Sequence, residues 1–152
     1  MIRSLSPADL DTVMNLWLDG NEQAHPFVPK GYWRAAYEGV RRELPHADVL
    51  VHVDPETGDV DGFIGLTGDY VAGLFVRADA RSHGIGKALL DEAKRRHRAL
   101  TLHVYRDNSR AVAFYLREGF TVRSEGTDGE TGAAEYEMTW DADGSRPGYR
   151  HA

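Results

Sequence analysis

Residues 71–90, VAGLFVRADARSHGIGKALL, restrict what this chain can fold into more than any other stretch. Positions 71–76 are apolar or small throughout, the composition of a strand buried on both faces. Polar residues follow, then Gly84-Ile85-Gly86, then apolar residues at helical spacing: Ile85, Ala88, Leu89 and Ala93. A strand, a glycine turn and a helix N-terminus in succession make an anion site. The first-turn N–H groups lack intrahelical partners, and the helix dipole adds partial positive charge there. Glycine lets a ligand approach the backbone, and Arg81 and Lys87 bracket the turn with charge. A diphosphate cradle is the expected chemistry.

The turn departs from two common cradles. A P-loop needs a glycine five residues before Gly86 and a hydroxyl after the lysine, but Arg81 and Ala88 stand there. A dinucleotide fingerprint needs a third glycine at position 89, which is Leu89. Arg81-Ser82-His83-Gly84-Ile85-Gly86, R-x-x-G-x-G after a strand, resembles the coenzyme A pyrophosphate loop of the GNAT N-acetyltransferases. A second motif follows in register. Residues 108–120, NSRAVAFYLREGF, are similar to that family's N-x-x-A-x-x-F-Y-x-x-x-G-F, preceded by a strand-like Leu102-His103-Val104. The motifs cover residues 71–120; the N-terminal third matches only in its order of elements. Ala78 replaces a proline often found after the strand, which bears on loop stiffness.

Length and composition suit one compact domain, 152 residues with 41% hydrophobic content. No stretch approaches the roughly 20 apolar residues of a membrane helix, and no basic and apolar leader opens the chain, so a cytoplasmic location is expected. The absence of cysteine removes disulfides, thiolate metal sites and a cysteine nucleophile together. A net charge of −6 disfavours nucleic acid as a partner and accords with a cationic acceptor or with ordinary solubility. The seven histidines show no paired ligand spacing, so no metal is expected.

In chain order, residues 1–5 read as an edge strand. Ser6-Pro7-Ala8-Asp9 starts a helix, with an N-cap, a proline at the first position and an acid at the third, and Gly20 is expected to end it. A proline-bearing loop, NEQAHPFVP, precedes a second helix at 32–43. Strands at 47–53 and 60–67 flank an Asp54–Gly58 turn signal. The strand at 71–76 and its loop lead into a helix ending near 98, a strand at 100–105 and a helix at 109–118. Strands near 121–125 and 134–140 flank Asp128-Gly129. One domain over 1–140 and a C-terminal tail over 141–152 are expected.

This β-α-α-β-β-β-α-β-α-β-β order is what the resemblance implies. The expected fold is α/β (α+β), the GNAT fold. It has a central mixed, twisted sheet of about six or seven strands flanked by about four helices. The fourth and fifth strands, here 71–76 and 100–105, splay apart to admit the pantetheine arm, and Gly73 allows close approach or a bulge. The implied cosubstrate is acetyl-CoA and the implied partner an amine, from a protein lysine, a protein N-terminus or a small molecule. A monomer or homodimer is expected. A non-catalytic acyl-CoA binding module is the alternative from another class.

The reaction sets the remaining requirements. A lysine amine, with a pKa near ~10.4, must lose a proton before it attacks a thioester. The developing oxyanion needs donors already in place, and the leaving thiolate needs a proton. By resemblance, the backbone N–H groups of Leu74, Phe75 and Val76 supply oxyanion donors. The loop residues Arg81, Ser82, His83, Gly84, Ile85, Gly86 and Lys87 hold the coenzyme together with Asn108, which is also a plausible N-cap. Tyr115 is implied as the acid that protonates the coenzyme sulfur. His103 lies five residues before Asn108, where some acetyltransferases of this family carry a glutamate base. Alternation puts it with Tyr105 opposite to Leu102 and Val104, and imidazole suits a base at cellular pH. His25, Phe27, Trp33 and Tyr70 complete the expected acceptor pocket with Tyr105; Glu22, His25 and Asp69 are competing bases.

Overall fold

The computed structural model describes residues 1–81 and 83–143. Ser82 of the expected coenzyme loop and residues 144–152 of the expected tail lie outside the described residues. The elements are β1 (Ile2–Ser4), α1 (Leu10–Ala24), α2 (Tyr32–Glu43), β2 (Asp48–Val53), β3 (Val60–Thr67) and β4 (Tyr70–Val76). They continue with α3 (Ile85–Arg96), β5 (Ala99–Tyr105), α4 (Ser109–Arg117), β6 (Thr121–Thr127) and β7 (Ala134–Asp141). The seven strands form one sheet in the order β1-β2-β3-β4-β5-β7-β6, antiparallel except where β4 meets β5. This is the mixed sheet expected, with β7 inserted between β5 and β6.

Local chemistry explains most boundaries. The Ser6 N–H donates to Asp9 Oδ2 at 2.8 Å, and Arg3 Nη1 donates to the same oxygen at 2.7 Å, so the Ser-Pro-x-Asp start is tied to the edge strand. In the β2–β3 turn Gly58, at φ +77°, donates its N–H to the Asp54 carbonyl at 2.8 Å. One boundary differs from expectation. Gly20 does not end α1, which runs on to Ala24. A Cβ there would lie 2.5 Å from Cδ1 of Phe75 on β4, so the glycine brings helix and sheet into close contact.

The strands β2 and β3 are largely buried on both faces, whereas β6 is exposed along its length. Val49, Val51 and Phe63 point to α1 and α2, joining Val13 and Met14. Leu50, Ile64, Leu100, Leu102 and Met138 point to α3 and α4, joining Leu89, Leu90 and Phe120. Fully burying side chains of this size contributes roughly 1.5–3 kcal/mol each, which fixes the register of the central strands. Two residues beyond β7, Asp143 pairs with Arg98 at 2.9 Å. Among the described residues no helix is long and apolar enough to cross a membrane.

Candidate active site

β4 and β5 pair at only two positions, Tyr70↔Thr101 and Val71↔Leu102, and then diverge. On the other edge β4 stays paired with β3 through Val76. The register against β3 slips at Ala72, since Gly65 faces Gly73 while Leu66 faces Val71. At Gly73 a Cβ would fall 2.8 Å from the Phe75 ring, so this turn of the strand excludes a side chain. The splay leaves β4 backbone groups facing a slot. Strand parity divides the three expected donors: Leu74 and Val76 direct their N–H groups to one edge of β4 and Phe75 to the other.

Below the slot the chain turns into α3. Gly84, at φ +81°, precedes the first residue of α3, a backbone conformation that favours glycine. The nearest atom to a Cβ built on Gly86 is Phe114 Cζ at 3.6 Å, an ordinary contact. Protein packing therefore does not demand glycine at position 86. Arg81 donates weakly to Gln23 Oε1 at 3.5 Å. Its pKa is lowered first by burial and then by the charge of Arg110, so the two guanidiniums lie within electrostatic reach of each other. Two arginines, the first N–H groups of α3 and a turn with glycine on both sides of Ile85 fit a diphosphate. Lys87, the other expected cation, is instead drawn to Asp91 and Glu118, each at 3.2 Å. His83 is exposed and Ile85 buried beneath the loop.

Asn108 is the N-cap of α4: Oδ1 accepts the Ala111 N–H at 3.3 Å. This fixes the amide, so Nδ2 donates to His25 Nε2 at 3.2 Å and leaves the His25 proton on Nδ1. Tyr115 is buried about two turns on, between Phe114 and Phe120 with ring centroids at 5.2 and 5.5 Å. Burial first, and Tyr70 second, push its pKa up, so the phenol keeps its proton at neutral pH.

On the other face of β5, His103 is exposed and Tyr105 half-buried, while Leu102 and Val104 are in the core. The Tyr70 hydroxyl lies 2.9 Å from His103 Nδ1. β7 sets Glu137 directly opposite His103 and Glu135 opposite Tyr105. The Tyr105 hydroxyl donates to Asp128 Oδ2 at 2.7 Å, and Tyr32 donates to Glu130 Oε2 at 3.2 Å. The β6–β7 hairpin is thereby fastened to the end of β5 and to the first residue of α2, just after the loop over residues 25–31. That loop completes an aromatic wall: His25 lies 4.9 Å from Tyr105 and 5.4 Å from Trp33, and Phe27 lies 5.5 Å from Tyr105, between ring centroids. His25 Nδ1 and Trp33 Nε1 are buried without hydrogen-bond partners. Burial lowers the His25 pKa to about 4, only partly offset by the Asn21 backbone, so this imidazole is neutral at neutral pH.

The structure thus brings together His25, Phe27, Trp33, Tyr70, His103 and Tyr105. Among the competing bases, Glu22 is paired with Arg34 at 2.9 Å and Asp69 with His97 at 2.7 Å. Sequence reading missed Arg110, Tyr32, Asp128, Glu130, Glu135 and Glu137. The alternation of Glu135 and Glu137 along a strand was a usable signal for those two. Asp128 and Glu130 carried none, because only the folded hairpin returns them to the site.

The acetyltransferase (GNAT) domain profile matches residues 45–122. The peptidyl-lysine N-acetyltransferase YiaC of Escherichia coli strain K12 is 34% identical over 141 residues, 92% of this chain and 96% of that protein. The peptidyl-lysine N-acetyltransferase YjaB of Salmonella typhimurium is 35% identical over 120 residues, 78% of this chain and 82% of its own. The solution structure of apo YjaB from Escherichia coli superposes with a TM-score of 0.81 at 26% identity, covering 92% of this chain and 96% of that one. Motifs, splayed sheet and kinship agree: the chain belongs to the GNAT family, N-acetyltransferases that move an acetyl group from acetyl-CoA to an acceptor amine.

Proposed function

We propose that this enzyme acetylates the side-chain amine of a protein lysine in the cytoplasm, with His103 as base and Tyr115 as acid. The observation that carries the reading is the open, acid-flanked acceptor face on the splayed side of β5. His103 stands exposed there, opposite Glu137, and Glu135 and Asp128 flank the same face. A cationic side chain on a peptide can reach an exposed imidazole at a strand edge, and the carboxylates favour its approach. Two relatives named for peptidyl-lysine acetylation support the same acceptor.

Acetyl-CoA, when bound, supplies an activated acyl carbon and a thiol leaving group. Arg81, Arg110 and the first N–H groups of α3 hold its diphosphate, and the β4 edge orients its amides. His103 takes a proton from the incoming ammonium and frees the lone pair. Those β4 N–H groups that face the slot meet the developing oxyanion, and they cost no reorganisation because β3 holds the strand on its other edge. Tyr115, protonated by virtue of its burial, delivers its proton toward the departing sulfur.

The test is an acceptor screen that follows coenzyme release against lysine peptides, N-terminal peptides, polyamines and aminoglycosides. Lysine peptides are expected to give the highest kcat/KM. A preference for any small amine by tenfold or more overturns the lysine assignment while leaving acetyl transfer intact.

A further inference from the structure

Tyr70 has a place that the acceptor pocket alone does not explain. It opens β4 at the last region still paired to β5, facing Thr101, so its ring stands where the two strands part. Its ring centroid is 5.6 Å from that of His103, and its hydroxyl is 2.9 Å from Nδ1. An imidazole that has accepted a proton has only donors to offer, so in that state Nδ1–H must donate to the Tyr70 oxygen. The same bond leaves Nε2 as the nitrogen turned away from Tyr70.

We propose that Tyr70 is a positioning residue. Its hydroxyl holds the His103 ring by Nδ1, presents Nε2 to the acceptor amine and stabilises the imidazolium formed when the amine gives up its proton. The proposal rests on His103 as the base. The proton balance is simple: an N–H bond of the substrate ammonium breaks, a new N–H bond forms at Nε2, and the hydrogen on Nδ1 stays in place, shared with the Tyr70 oxygen. The charged or titratable groups around His103 are Tyr70 from β4, Tyr105 from β5, Glu135 and Glu137 from β7, and Asp128 from the hairpin. Glu137 is itself shared with Arg123 of β6 at 3.5 Å. Glu135, Glu137 and Asp128 all act on Tyr70, whose pKa is raised chiefly by burial, so the hydroxyl stays protonated and neutral beside the imidazole.

The direction of a pH shift separates this role from a structural one. If the hydroxyl accepts from the imidazolium, Tyr70→Phe removes a stabiliser of the protonated ring. The acidic limb of kcat/KM then moves to lower pH, by about one unit for a lost bond to a charged group. If the hydroxyl instead donates to a neutral Nδ1, the limb moves to higher pH.

The experiment measures kcat/KM against pH for the wild type, Tyr70→Phe, His103→Ala and the double variant, with long-range ¹H–¹⁵N spectra of His103 in the first two. Expected are an acidic limb displaced downward in Tyr70→Phe, kcat/KM lower by about tenfold, and a double variant no slower than His103→Ala. The His103 nitrogen titration should move to lower pH in step with the limb. An unchanged or upward limb in Tyr70→Phe, with His103→Ala impaired and its limb erased, overturns the Tyr70 role and spares His103 as base. A His103→Ala enzyme with wild-type rate and limb overturns both. Nitrogen spectra of His103 unaltered by Tyr70→Phe overturn the positioning claim independently of turnover.

Discussion

The coenzyme half and the acceptor half of this site are built in opposite ways. The coenzyme half uses contiguous chain: β4, the Gly84–Gly86 turn and the first turn of α3, with α4 closing it. In the proposed reading most of its binding groups are backbone N–H. The acceptor half gathers side chains from the end of α1, α2, β4, β5 and the β6–β7 hairpin, and holds them with aromatic contacts and two hydroxyl–carboxylate bonds. A cosubstrate shared across a family can be met by fixed backbone. An acceptor that differs from enzyme to enzyme is met by side chains, which change without disturbing the sheet.

The largest effect expected on this contrast is Gly86→Glu. The space near position 86 accepts a Cβ, so the fold should survive, but a carboxylate beside Arg81 and Arg110 should abolish coenzyme binding by calorimetry. Wild-type protein with coenzyme at 100 times its Kd should gain about 2.7 kcal/mol of stability, and the variant none. Binding retained in the variant would mean the diphosphate sits elsewhere. Next is Tyr115→Phe, which keeps the ring between Phe114 and Phe120. Turnover should fall by about 10²–10⁴ while coenzyme affinity holds. Unchanged turnover, with chemistry rate-limiting, would return Tyr115 to a packing role.

Acid should loosen the acceptor half first. His25 titrates near 6.5 when unfolded and at about 4 when folded, so the unfolded chain binds more protons between these values. Stability is full above pH 6.5 and is lost as pH falls toward 4, by on the order of 2 kcal/mol or less once solvent screening is allowed for. Asp9, lowered from 3.8 to about 2 first by its bond to Arg3, loses its contribution only as pH falls through that lower window. Chemical denaturation from pH 7 to 4 should show the first decline, and His25→Asn should flatten it; an identical slope in that variant would locate the titration elsewhere. The smallest effect is Tyr105→Phe, which removes the hydroxyl bond to Asp128 Oδ2. It should cost about 1 kcal/mol of stability and raise the acceptor KM severalfold, with coenzyme affinity unchanged. A change in coenzyme affinity instead would show that the two halves are coupled.

The element order and the cap at Asn108 were legible in the residues, and the splay between β4 and β5 was implied by the family resemblance. The facing of His103 and Tyr105 was legible too, since alternation along a strand needs no partner to be read. Gly20 was misread because a glycine that ends a helix and one that lets a helix press on Phe75 look alike until the sheet is in place. Lys87 shows the same limit: its charge is visible in sequence, its commitment to Asp91 and Glu118 is not.

The sequence by itself determined the glycine turn into α3 and the capped start of α4, because their interactions are between groups a few residues apart. Only the tertiary structure decided what surrounds His103. Inserting β7 between β5 and β6 places Glu137 opposite it, 34 residues on in the numbering, and the parting of β4 from β5 leaves Tyr70 at its Nδ1. Those pairings follow from the strand order and register that the whole sheet adopts as its helices pack on it. That condition acts on the whole chain, and no short stretch of sequence contains it.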